Sequence, residues 1–156
     1  MNAYRVDRRL FKVGDVVSQT GEYLSKLDSG RAQVEVCLEE MRPAMKPRRS
    51  EALFVFECRS AAERFWTKEV DGKLYEVSFQ VPVLHRGDMS LTDELFRSRA
   101  DAAIVRDLAE RYWRGDESTS PQIELLIEEA VVVSVIFATE MERRRAFAAR
   151  AGMPLP

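Results

Sequence analysis

Between Tyr75 and Val83 the odd positions carry Tyr, Val, Phe, Val and Val, with Glu76, Ser78 and Gln80 among the positions between them. That period of two is the mark of a strand with one buried face, and it is the clearest strand signal in the chain. Shorter apolar runs predict strands over 4–6, after the Gly-Asp punctuation of "KVGDVV" (12–17), and over "EALFVFEC" (51–58). Late in the chain, 122–127 and 131–137 read as two strands because their β-branched content disfavours helix. The 31–41 segment fits both periods. Val34, Cys37, Leu38 and Met41 have helical spacing, whereas Ala32, Val34, Val36 and Leu38 alternate. Helix is preferred there, since Glu39 and Glu40 continue it and Pro43 stops it.

Further helices are predicted at "SAAERFW" (60–66), with Ser60 as N-cap and Glu63 as its capping-box partner, and at "SLTDELF" (90–96). In "DAAIVRDLAERYW" (101–113), Ile104, Leu108 and Tyr112 share one face, with Val105, Ala109 and Trp113 beside it. The tail "ATEMERRRAFAARAG" reads as a last helix ended by Gly152 and Pro154. "RPAMKPRR" (42–49) reads as an exposed, stiff, basic loop, and "RGDESTSP" (114–121) as a turn-rich one. Strands spread along the chain with helices between the early ones predict an α+β domain. The expected organisation is a single domain over 1–137, followed by a C-terminal helix and tail over 138–156.

With 156 residues, 46% hydrophobic and 32% charged, the chain is long enough for one real core. A net charge of -2 gives no bulk bias toward nucleic acid or membrane. No leader pattern and no membrane-length apolar run is present, so a cytoplasmic location without membrane contact is expected. Cys37 and Cys58 have neither zinc nor disulfide-framework spacing, and His85 is the single histidine, so no metal site is expected. The 19 arginines against 5 lysines supply many forks for oxyanions. His85 near Asp88 is a candidate acid–base pair, and the two "RGD" stretches, 86–88 and 114–116, read as turns.

Three stretches in order resemble the ADP-ribosyltransferase superfamily: "AYRVD" on an opening strand, "RRSEALFVFECRSAAERFW" as a central strand and helix, and the Gln-x-Glu of "QIELLI" at the start of a late strand. The layout also resembles a small uncharacterised bacterial family of that fold, through "LYEV", "HRGDM" and "YW". The resemblance implies a mostly antiparallel split sheet with flanking helices, and NAD as cofactor. It implies transfer of ADP-ribose to a protein or nucleic-acid acceptor, with release of nicotinamide. Glu124 would stabilise the developing oxocarbenium charge from a rigid strand mouth wet enough to keep it ionised. Gln122, two residues earlier, would orient the acceptor. Tyr4 and Arg5 would contact the dinucleotide, and Ser50, Phe54 and Phe56 would line the nicotinamide pocket.

The chain departs from the family's patterns at definite places. Its only Ser-Thr-Ser, 118–120, precedes Gln122 in a loop, and Arg5 and phenylalanines stand where one class carries His and Tyr. The alternative reading is therefore a non-catalytic protein-binding module, an inactive member of the same fold.

Overall fold

The computed structural model describes residues 1–69 and 71–153. Among these, the chain forms seven strands: β1 (Asn2–Asp7), β2 (Val16–Ser18), β3 (Leu53–Phe56), β4 (Lys73–Ser78), β5 (His85–Asp88), β6 (Ile123–Ile127) and β7 (Glu129–Phe137). The five α-helices are α1 (Ser29–Glu40), α2 (Arg59–Trp66), α3 (Met89–Arg97), α4 (Ala102–Arg114) and α5 (Glu140–Arg150). The architecture is α+β. β1 pairs antiparallel with β3 and β4, β4 with β7, and β5 with β6. The expected stop at Pro154 lies outside the described residues, as do 155 and 156.

The chain divides into two compact units, each drawn from separated segments. Unit 1 comprises Met1–Val17, Val55–Gln80 and the segment from Ala130 onward; unit 2 comprises Ser18–Phe54 and Val81–Glu129. The strands β2-β7-β4-β1-β3 are neighbours in that order, and unit 1 holds β4 and β1 whole, with 130–137 of β7, Val16 and Val17 of β2 and Val55 and Phe56 of β3. Tyr75, Val77 and Phe79 face inward as their alternation requires. β4 nevertheless ends at Ser78, well before Val83. Pro82 has no N–H to extend a ladder. α2 buries Ala61, Ala62 and Trp66, with the Trp66 ring stacked on Phe137 at 4.6 Å and its Nε1–H donating to the Gly72 carbonyl at 2.8 Å. The expected Ser60 cap is displaced: the helix starts earlier, Cys58 is its N-cap, and no side chain bonds its first amides. α5 has a complete capping box, Thr139 with Glu142, that fixes its start.

Unit 2 is built on α1, α3, α4 and the β5–β6 hairpin. The ambiguous 31–41 segment is helical, entered through Asp28, whose side chain accepts from the Arg31 N–H. α4 is capped by Asp101 and closed by Gly115, whose φ of 82° is the left-handed value that favours glycine at a helix end. Leu108, Ala109, Tyr112 and Trp113 of α4 pack with Val34, Leu38, Leu91, Leu95 and Leu126 in the unit's core. Trp113 Nε1–H donates to the Leu38 carbonyl at 2.8 Å, tying α4 to α1. Ile104, expected on the inner face, is exposed instead. The first "RGD" is not a turn: Arg86, Gly87 and Asp88 belong to β5, paired with Leu125, Glu124 and Ile123. The second does bend the chain at Gly115.

Candidate functional site

β6 is buried along all five residues, and Glu124 is its one charged side chain. A carboxylate there costs several kcal/mol unless it is paired. The expected wet strand mouth is instead a closed pocket of polar partners, with Glu124 only 4% exposed. Its Oε1 accepts from Arg49 Nη1 at 2.5 Å and from the Tyr112 hydroxyl at 2.8 Å.

Arg49 was expected in an exposed basic loop. It is buried, at the head of a short 3-10 turn, Arg49–Glu51, that leads into β3. Its Nε donates to both oxygens of Glu35 on α1, at 3.0 and 3.3 Å, and its Nη1 also donates to the Tyr112 hydroxyl. Tyr23 completes the chain by donating to Glu35 Oε1 at 2.7 Å. The guanidinium carbon lies 4.7 Å from the Phe54 ring centre and 4.9 Å from that of Tyr112. Planar stacking and a rigid donor fork are what an arginine offers at such a site and a lysine does not.

Two carboxylates thus share one buried guanidinium. Burial alone would lower the Arg49 pKa, but Glu124, Tyr112 and Glu35 hold it well above its ordinary value. Burial pushes the phenols of Tyr112 and Tyr23 up against the pull of Arg49, so both serve as hydrogen-bond donors rather than bases. Gly87 stands opposite Glu124 in the hairpin. A Cβ there would lie 2.4 Å from Cε2 of Tyr112 and 3.0 Å from its hydroxyl. Only glycine leaves room for the phenol to reach Glu124.

Gln122 stands one residue before β6, half-buried, with its backbone fixed at both ends. Its N–H donates to Asp88 Oδ1 at 2.8 Å and its carbonyl accepts the Met89 N–H at 2.9 Å. Asp88 also accepts the amides of Ser90 and Ser118, at 2.9 and 2.8 Å. Burial would raise its pKa, but hydrogen bonds from Ser118, Gln122 and Ser90 hold it below the usual value. His85 and Asp88 form no acid–base pair: the histidine bonds Lys46 and the Tyr112 carbonyl, the aspartate these amides.

In unit 1, Tyr4 is half-buried and stands opposite Phe56 in the β1–β3 pair, and Phe56 packs against Phe65 at 5.3 Å. Arg5 turns its fork onto Asp7 Oδ2, through Nε at 3.2 Å and Nη2 at 3.0 Å, and Arg9 binds the same carboxylate. Burial would raise Asp7, yet Arg9 and Arg5 bring it down to about 2. In unit 2, Ser50 is half-buried within the 3-10 turn, and Phe54 packs against Tyr23 at 5.0 Å and Arg49. The structure therefore joins Glu124 to the stretch carrying Ser50 and Phe54, through Arg49.

Arg49, Glu35, Tyr112 and Tyr23 were not singled out as site residues in the sequence. One signal was available for Glu35, which lies between the helix-spaced apolar positions Val34 and Leu38 of α1. Among the described residues, no group of three or more His, Cys, Asp or Glu is placed to hold a metal ion, and no helix is long and apolar enough to cross a membrane. No protein-family model matches the chain and no curated protein sequence matches it, so the role of this cluster has to follow from its own geometry.

Proposed function

We propose that the protein is a non-catalytic protein-binding module in which Glu124 serves the fold rather than a reaction. One observation carries this reading: the Glu124 carboxylate is buried and its Oε1 is held by both Arg49 and Tyr112. A carboxylate that steadies a sugar cation must present an oxygen to its ligand, and two strong donors on one oxygen weaken it for that task. Two of the other groups expected to hold NAD are similarly committed, Arg5 to Asp7 and Phe54 to the Arg49 stack. β7 provides an apolar surface, with Val131, Val133 and Val135 each 39–42% exposed at every second position. Contiguous exposed apolar side chains of that kind are a common feature of protein interfaces.

The second reading is NAD-dependent transfer of ADP-ribose to a protein or nucleic acid. It is favoured by the same clamp seen from the other side, since Arg49 and Tyr112 fix Glu124 in one orientation. Nicotinamide release and NAD binding, measured on wild type and Glu124→Gln together with urea unfolding, separate the two. The module predicts no NAD-dependent release by wild type, and a loss of about 3–5 kcal/mol in the variant because the buried pair is broken. Release by wild type that disappears in an equally stable Glu124→Gln would establish transfer and overturn the module.

A further inference from the structure

Lys46 and His85 make a contact that only one protonation state allows. Lys46 Nζ lies 3.2 Å from His85 Nδ1. An ammonium has donors only, so Nδ1 must accept. His85 Nε2 lies 3.1 Å from the Tyr112 carbonyl, an acceptor only, so the ring proton sits on Nε2. The imidazole is therefore neutral, in the Nε2–H form. It is buried, edge-on to Tyr112 and tilted against Trp113, with both ring centres 5.0 Å away.

The two cations nearest this ring, Lys46 and Arg49, oppose a second proton. Lys46 faces it from the 42–48 loop and Arg49 from the 3-10 turn, while α4 contributes the Tyr112 phenol and the Trp113 ring. Leu126 is its partner across the hairpin, and Glu124, two residues away on β6, has Oε1 committed to Arg49 and Tyr112. Burial first and Lys46 second hold the imidazole down to about 4, while the Tyr112 carbonyl pulls the other way.

Lys46 is also the residue around which its loop is tied. Its N–H donates to the Pro43 carbonyl at 2.9 Å, and its own carbonyl accepts from Arg42 Nη1 at 2.7 Å. Three residues later the chain delivers Arg49 to Glu35 and Glu124. We propose that the neutral imidazole of His85 is a latch that holds the 42–48 loop, and the Arg49 turn behind it, through Lys46, and that protonating His85 releases the loop. A protonated ring has no acceptor for Lys46 and places a third cation beside two others. The latch is a property of unit 2 whatever Glu124 does, so its test does not depend on NAD.

His85 is the chain's single histidine, so imidazole signals in a 15N-labelled sample need no assignment by mutation. At neutral pH the expected spectrum is the Nε2–H form, titrating well below 6.5. Amide exchange at Lys46, corrected for intrinsic pH dependence, should quicken at least tenfold across that same titration while Val77 in β4 stays protected. Lys46→Met, which keeps the stem and removes the donor, should show the fast exchange already at neutral pH and no further step on acidification. An Nδ1–H ring, a midpoint near 6.5, unchanged Lys46 exchange, or loss of Val77 protection at the same pH would each overturn the latch.

Discussion

Replacing Gly87 by alanine separates two opposed physical effects. Gly87 has no positive φ, and alanine costs less backbone entropy in an extended strand, so local reasoning predicts a gain of about 0.5–1 kcal/mol. The neighbourhood of Gly87 predicts the opposite. Its new Cβ would lie 2.4 Å from Tyr112 Cε2 and 2.7 Å from Cζ, whereas ordinary contact begins at 3.4 Å, so the ring must withdraw by roughly 3.4 − 2.4 = 1.0 Å. That withdrawal pulls the hydroxyl off Glu124, now 2.8 Å away, inside a core where α4 cannot shift freely. Overpacking costs about 1–3 kcal/mol and a lost hydrogen bond to a charge about 1.5–3, so that after the backbone gain the net loss is about 2–5 kcal/mol. Equilibrium urea unfolding of wild type and Gly87→Ala measures it directly. A variant as stable as wild type, or more stable, would refute the placement of Tyr112 over Gly87 and with it the clamp on Glu124.

Arg49→Met should lose about 3–5 kcal/mol in the same assay, because it leaves Glu35 and Glu124 buried without their cation. His85 makes stability depend on pH in a definite direction. Its folded pKa of about 4 lies below the ordinary 6.5, so the unfolded chain binds the extra proton. Stability is complete above pH 6.5 and falls as pH drops toward 4, by about 2 kcal/mol after solvent screening, and His85→Gln should flatten that slope. Asp7 acts in a lower window: its contribution is present above pH 3.8 and is lost as pH falls through about 2, a step that Asp7→Asn should remove. Thr139→Ala should cost about 1 kcal/mol through its capping box, read as faster amide exchange at Glu142.

The elements legible in the sequence were those whose own side chains make the pattern. β4 and α4 announce themselves through alternation and helical spacing, and β6 and β7 through their β-branched content, because the residues that build them also bury them. β5 was not legible: His85, Arg86, Gly87 and Asp88 carry turn chemistry and no alternation, and the strand exists because Glu124 and its neighbours pair with it. α2 begins from Cys58 rather than Ser60, and Glu63, the expected partner of a Ser60 cap, instead accepts from Arg59 and Arg150. Glu124 stood out, being a lone carboxylate in an apolar run. Its partners did not, since Arg49 lies 75 residues away inside a basic stretch and Tyr112 reads as ordinary core. A buried ion pair leaves no period in the chain; each half looks like surface until the fold brings them together.

Neither unit is a continuous stretch of chain, and this constrains the order in which each is completed on the ribosome. In unit 1, Tyr4 waits for Glu76, and Glu76 in turn waits for Ser134. Unit 2 has all its segments once Glu129 has been made, whereas unit 1 needs the segment that begins at Ala130. Domains usually finish from the N-terminus as they emerge, but here the unit that holds the first strand is the last to close. A chain that ends at Glu129, tethered to the ribosome by a spacer long enough to bring Glu129 out of the exit tunnel, would then resist protease over 18–54 and 81–129 while 1–17 and 55–80 are still cut.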